Sequence, residues 1–153
     1  VNAIAEDDLY YGEDGVDSFG PSYGREKESH VTVLYGLNAS VEPADVRHLL
    51  KDKWEGLIAI EMSRVSLFEN EDKPYDVVKV AIKSSDLRKM NKLLRTLPYE
   101  SDFPDYHPHL TLAYVKKGMG KKYKGDDAFA GTKLTFDSIY FSDTDGSKTK
   151  INL

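Results

Sequence analysis

His30-Val31-Thr32-Val33-Leu34-Tyr35 and, far along the chain, His109-Leu110-Thr111-Leu112-Ala113-Tyr114-Val115 are the stretches on which the reading turns. Each opens on His-x-Thr followed by an aliphatic residue, and each has the β-branched, aromatic and apolar content of a strand. Successive side chains on a strand point to opposite faces. His30 and Thr32 therefore share one face, as do His109 and Thr111, while Val31, Val33, Leu110 and Leu112 turn to the other. The second face suits a core. The first carries imidazoles and hydroxyls, which a core does not call for. Two such strands facing one cleft would surround a single small anion with two imidazoles and two hydroxyls.

That set is sufficient for acid–base chemistry. The unperturbed imidazole titrates at about 6.5, so one ring can accept a proton from an attacking hydroxyl while the other protonates a leaving oxygen. Threonine hydroxyls can hydrogen-bond the non-bridging oxygens of a phosphate and hold it in line. The scheme needs no metal and no cofactor. A metal site built from His30, His107 and His109 is the rival reading, but no carboxylate stands beside them at a ligand-like spacing, and it leaves the paired threonines without a purpose. A single His-x-Thr on a strand is commonplace. Two, each on an apolar strand, point to catalysis by His30, Thr32, His109 and Thr111.

Outward from these strands the chain alternates helical and extended patterns. Residues 1–29 are Gly-, Asp- and Tyr-rich without periodicity and read as an irregular segment. Its aromatics, Tyr10, Tyr11, Phe19 and Tyr23, are too many for a purely solvating tail, so it is expected to pack on the domain at or near the cleft. Pro43 after Ser40-Val41-Glu42 starts a helix with Val46, Leu49 and Leu50 on its apolar stripe, running to about Lys53, with His48 off the stripe. Trp54 reads as a core anchor. Strands are expected over 57–61, 64–68 and 77–82, with a turn at 69–74. Ser84-Ser85-Asp86 caps a second helix carrying Leu87, Met90, Leu94 and Leu97, closed by Pro98. A helical turn at 126–130, a strand over 134–141, a turn at Asp145-Gly146 and a returning strand over 149–153 complete the chain. The order predicts one α+β domain over 1–153, of two lobes, each an antiparallel sheet with helices on its outer face.

Candidates for substrate contact follow from chemistry and place. Tyr10, Tyr11, Tyr23 and Tyr106 could stack on or contact a base, and His107 sits where the edge of the cleft is expected. Lys117 belongs to the one concentrated basic stretch, residues 116–124, directly after the second motif strand, and could meet a phosphate.

Composition narrows the classes. The chain has 153 residues, 40% hydrophobic and 31% charged, which is the profile of a globular domain able to bury a core. It contains no cysteine, so disulfides and thiolate metal sites are excluded. No apolar run approaches the ~20 residues that span a bilayer, and no basic-then-apolar leader pattern opens the sequence. No membrane contact is expected, and the expected location is the cytoplasm. The formal charge of −5 is poorly suited to tracking a long polyanion, whereas a small nucleotide in a locally basic cleft is compatible with it. No P-loop, dinucleotide fingerprint or nucleophile elbow is present.

The doubled motif, with Pro108 ahead of the second histidine, resembles the signature of the two-histidine (2H) phosphoesterases. Residues 5–12, Tyr23-Gly24-Arg25-Glu26 and His30 to Gly36 are similar to the bacteriophage group of that superfamily, the anti-CBASS phosphodiesterases. The resemblance implies a bilobal 2H fold, two antiparallel sheets with outer helices around a central cleft. It implies cleavage of 3',5' linkages in cyclic di- or trinucleotide messengers, without metal, in the host cell cytoplasm. An RNA-end 2',3'-cyclic phosphodiesterase, an RNA ligase-like protein and a non-catalytic cyclic-nucleotide sponge are the alternatives. The oligomeric state is left open.

Overall fold

In the computed structural model, which describes residues 4–11, 23–101 and 105–153, helix α1 spans Pro43–Lys53. Pro43 takes the first helical position, where its missing N–H costs nothing. Glu42 and Asp45 close a capping box, the Asp45 carboxylate accepting the Glu42 N–H at 2.9 Å. Val46 and Leu50 are buried, Leu49 half-buried and His48 exposed, as the stripe requires. Helix α2 spans Ser85–Leu94, its start fixed by the Ser84 hydroxyl, which accepts the Leu87 N–H at 3.0 Å. It buries Leu87, Met90 and Leu94 together with Asn91. The helix ends before the expected Pro98, and Leu97 lies in the turn that follows, its N–H on the Leu94 carbonyl.

The strands are β1 (Ile58–Glu69), β2 (Tyr75–Lys83), β3 (His109–Lys116), β4 (Lys133–Phe136), β5 (Ser138–Ser142) and β6 (Lys148–Asn152). β1 is one strand where two segments were expected. The expected strand over 134–141 is two, broken at Asp137, because β4 pairs with β1 and β5 pairs with β6 in a separate hairpin. The Asp137 carbonyl accepts the Leu153 N–H at that break. Residues 126–130 form a turn rather than a helix, and a single 3-10 turn falls at Lys121–Tyr123 instead. The sheets are antiparallel, one of four strands in the order β3-β2-β1-β4 and one of two.

The chain divides into two compact units. The first comprises the described residues up to Val31, with Met62–Ile82 and His109–Thr132. It buries Leu9, Val65, Val78, Val80, Ile82, Ala113 and Val115. The second comprises Thr32–Glu61, Lys83–Pro108 and Lys133–Leu153, and buries Val46, Leu50, Ile58, Ile60, Met90, Leu94 and Ile151.

Within the first unit the described part of the amino-terminal segment lies along the outer edge of β3. Leu9 bridges to Val115 and Arg25 to Ala113, while Tyr10 and Glu26 donate backbone N–H groups to the Tyr114 and Leu112 carbonyls. An otherwise open strand edge is thereby covered. The segment is tied down by Asp8, whose carboxylate pairs with Lys122 at 2.7 Å and accepts the Tyr123 hydroxyl. The Lys122 ammonium, then the Tyr123 hydroxyl, hold the Asp8 carboxyl below its usual range. Folding therefore disfavours its proton, so the contact stabilises the fold above pH ~4 and is lost as pH falls through the depressed value. Asp8→Asn is expected to lower the thermal midpoint at neutral pH and to flatten its decline between about pH 5 and 2. A midpoint-against-pH curve parallel to that of the parent protein would contradict this.

Candidate active site

The second motif lies where it was expected, at the start of β3, with His109 and Thr111 half-buried. The first motif does not form a strand. Val31 makes one antiparallel bridge, to Leu110, and no ladder continues from it. The Thr32 carbonyl instead accepts the Tyr106 hydroxyl at 2.7 Å, and the Val33 carbonyl accepts the Asn91 side-chain amide at 2.7 Å. Side chains take the acceptors that a neighbouring strand would have used. The first motif is thus joined to β3 by a single bridge rather than by a ladder. The two meet edge to edge at Val31 and Leu110, and antiparallel register brings His30 beside Thr111 within the first unit.

A bulge decides what else shares that face. Val78 pairs with Ala113 but Lys79 pairs with Thr111, so Leu112 is an extra residue on β3. On β2, Asp76, Val78, Val80 and Ile82 are buried, leaving Tyr75, Val77, Lys79 and Ala81 on the other side. Their partners are Lys116, Tyr114, Thr111 and His109. Directly opposed residues of an antiparallel pair share a face. His109, Thr111 and Tyr114 therefore line one surface with Lys79 and Tyr75, and the bulge carries Ala113 and Val115 into the core.

On that surface the Phe68 ring meets His109 edge-on, with centroids 4.9 Å apart. The Lys79 ammonium lies 4.3 Å from the centre of the same ring and donates to the Ser66 hydroxyl at 2.7 Å. Lys79 is only 9% exposed, and burial depresses its pKa. His30 is exposed, and its Nδ1 lies 2.9 Å from the Glu28 carbonyl oxygen. A carbonyl can only accept, so Nδ1 carries a proton and the neutral ring presents its lone pair at Nε2.

The other sequence candidates separate. Tyr10 and Tyr23 join Tyr75 and Tyr114 in a cluster with ring centroids 5.2–5.4 Å apart. Tyr11 donates to Glu6 at 3.0 Å and packs on Gly24, whose φ of 103° suits glycine and where a Cβ would lie 2.7 Å from the tyrosine ring. Tyr106 has its hydroxyl on Thr32, and burial pushes its pKa up. His107 is exposed. Lys117 follows β3 at the end opposite His109, roughly 25 Å along the strand, and its ammonium is spent on the Asn70 and Lys73 carbonyls. Trp54 is half-buried and donates to the Gly56 carbonyl. Among the described residues no three His, Cys, Asp or Glu side chains are grouped to hold a metal ion. Among them, too, no helix is long and apolar enough to cross a membrane.

Tyr106→Phe removes the donor on the Thr32 carbonyl and leaves that acceptor without it. The expected cost is about 1–2 kcal/mol of stability, measured by denaturant titration, and the rate tells whether the position of Thr32 matters for activity. Unchanged stability and rate would show that the bond positions nothing.

The fold and this face define an α+β protein whose paired His-x-Thr motifs converge on one strand edge. The fold is similar to that of Kluyveromyces marxianus Usb1, with a TM-score of 0.62 and 11% identity, covering 96% of this chain and 80% of that one. No curated protein matches the sequence. Residues 21–150 match the family of the anti-CBASS protein Acb1, and the chain belongs to that family.

Proposed function

We propose that the chain is a metal-independent phosphodiesterase of the two-histidine type that cleaves 3',5' linkages of cyclic di- or trinucleotides. It would remove a nucleotide messenger of bacterial defence in the host cytoplasm, as membership of an anti-CBASS family supports. The observation that carries the chemistry is the Val31–Leu110 bridge, which joins two distant His-x-Thr motifs. In this reading His30 is the base, because its Nδ1–H is engaged with Glu28 and its Nε2 is left to accept. The ribose 2'-hydroxyl gives its proton to His30 and its oxygen bonds to phosphorus. The P–O5' bond breaks, and His109, protonated, gives its proton to the departing oxygen. The product ends in a 2',3'-cyclic phosphate and a free 5'-hydroxyl. Thr111, and Thr32 by the same sequence logic, would donate to the non-bridging oxygens.

Product analysis on cyclic dinucleotides, cyclic trinucleotides and RNA with a 2',3'-cyclic end tests this, in excess EDTA. Linearised cyclic nucleotides at an undiminished rate are expected. Turnover only of the RNA end would move the activity to that class, and tight binding without cleavage would make the protein a sponge. Loss of rate on chelation, restored by a divalent ion, would sink the mechanism.

A further inference from the structure

We propose that Lys79 is a further catalytic residue, its ammonium meeting a non-bridging oxygen of the scissile phosphate on the face that carries His109 and Thr111. The inference rests on the phosphodiesterase reading above and adds to it a cation that the two motifs do not contain.

Lysines are rarely buried without a partner, because an ammonium out of water costs free energy unless charge and hydrogen bonds offset it. Lys79 is 9% exposed, and among the described residues no carboxylate pairs with it. Among the described residues its hydrogen-bond acceptor is the Ser66 hydroxyl, and the Phe68 ring gives it an electron-rich face. An ammonium has three donors, so these neighbours aim the cation without neutralising it. The depressed pKa has the same origin, burial unopposed by an anion.

Position says which anion fits. Lys79 is paired directly with Thr111, so the two side chains stand side by side on one face. Phe68 touches both the His109 ring and the Lys79 ammonium, so one ring packs against both groups. A phosphodiester carries one negative charge, whereas the phosphorane formed on attack carries more. A fixed cation in a poorly solvated site therefore favours the transition state over the ground state. In the sequence this residue is hidden, one member of the strand expected over 77–82 with nothing local to single it out.

The test is steady-state cleavage of the fastest-cut cyclic dinucleotide by the full chain, by Lys79→Met, by Lys79→Arg and by His109→Ala. Lys79→Met keeps length and loses charge. It should lower kcat by about 10²–10³-fold, the range for deleting one charge-stabilising donor, with KM changed by only a few-fold. Lys79→Arg should recover at least about tenfold of that loss, which a merely structural role would not explain. If Lys79→Met turns over within twofold of the parent while His109→Ala does not, the Lys79 proposal falls and the site reading stands. A parent protein that cuts no phosphodiester overturns both. Should Lys79→Met fail to fold, Ser66→Ala releases the ammonium from its anchor and should reduce kcat about tenfold; an unchanged kcat in that variant overturns the proposal.

Discussion

A cyclic dinucleotide carrying 2'-deoxyribose next to each 3'-phosphate will bind this protein and resist cleavage. The 2'-hydroxyl is tethered beside phosphorus, and such intramolecular nucleophiles act with effective concentrations of about 10⁵–10⁸ M. Its removal leaves His30 with no proton to take from the substrate. The rate should fall by at least about 10⁴-fold, while the bases, sugars and phosphates still offer their contacts. Calorimetric titration gives the binding and product analysis gives the rate. Cleavage of the deoxy analogue at a comparable rate would make water the nucleophile, and the roles of both histidines would have to be reassigned.

The second large effect is loss of either imidazole. His30→Ala and His109→Ala should each reduce kcat by about 10²–10⁴-fold, the usual worth of one positioned proton transfer. The two variants should differ in pH dependence. A base that must be neutral shapes the acid limb of the rate profile, and an acid that must be protonated shapes the alkaline limb. His30→Ala should therefore lose the acid limb and His109→Ala the alkaline one. Thr111→Val, which keeps size and branching, should cost less than either. The same limb missing from both histidine variants would contradict the division of roles.

The sequence was legible where a local pattern and the tertiary outcome agree. Pro43 with Val46 and Leu50, Ser84 with Leu87 and Met90, and Asp145-Gly146 each carry their own start, stripe or turn, and the structure follows them. The strand that opens on His109 and Thr111 was visible for the same reason. What strict alternation could not reveal is the effect of one inserted residue. It correctly puts Leu110 and Leu112 opposite His109 and Thr111, but beyond the Leu112 bulge the phase reverses. Tyr114 then joins the histidine face and Ala113 enters the core. Tyr75 and Tyr114 were passed over as site candidates because their place beside the histidine face depends on that shift, and Lys79 because its place depends on which strand pairs with β2. The apolar run from Val31 to Tyr35 misled in the opposite sense. Its β propensity is real, yet Tyr106 and Asn91, from distant parts of the sequence, claim its carbonyls.

The Val31–Leu110 bridge has a consequence for how this protein ages and fails. Both imidazoles hang from one edge of one compact unit, so the gap between them is a local dimension, governed by a few backbone bonds on β3. Softening of the second unit by heat, crowding or a distant substitution need not change the spacing of His30 and His109, which both belong to the first. Fraying of residues 24–31 from β3 would do the reverse and, under the proposed mechanism, would stop turnover while most of the fold survives. Hydrogen exchange at the Glu26 and Tyr114 amides should therefore forecast inactivation better than the global melting point does.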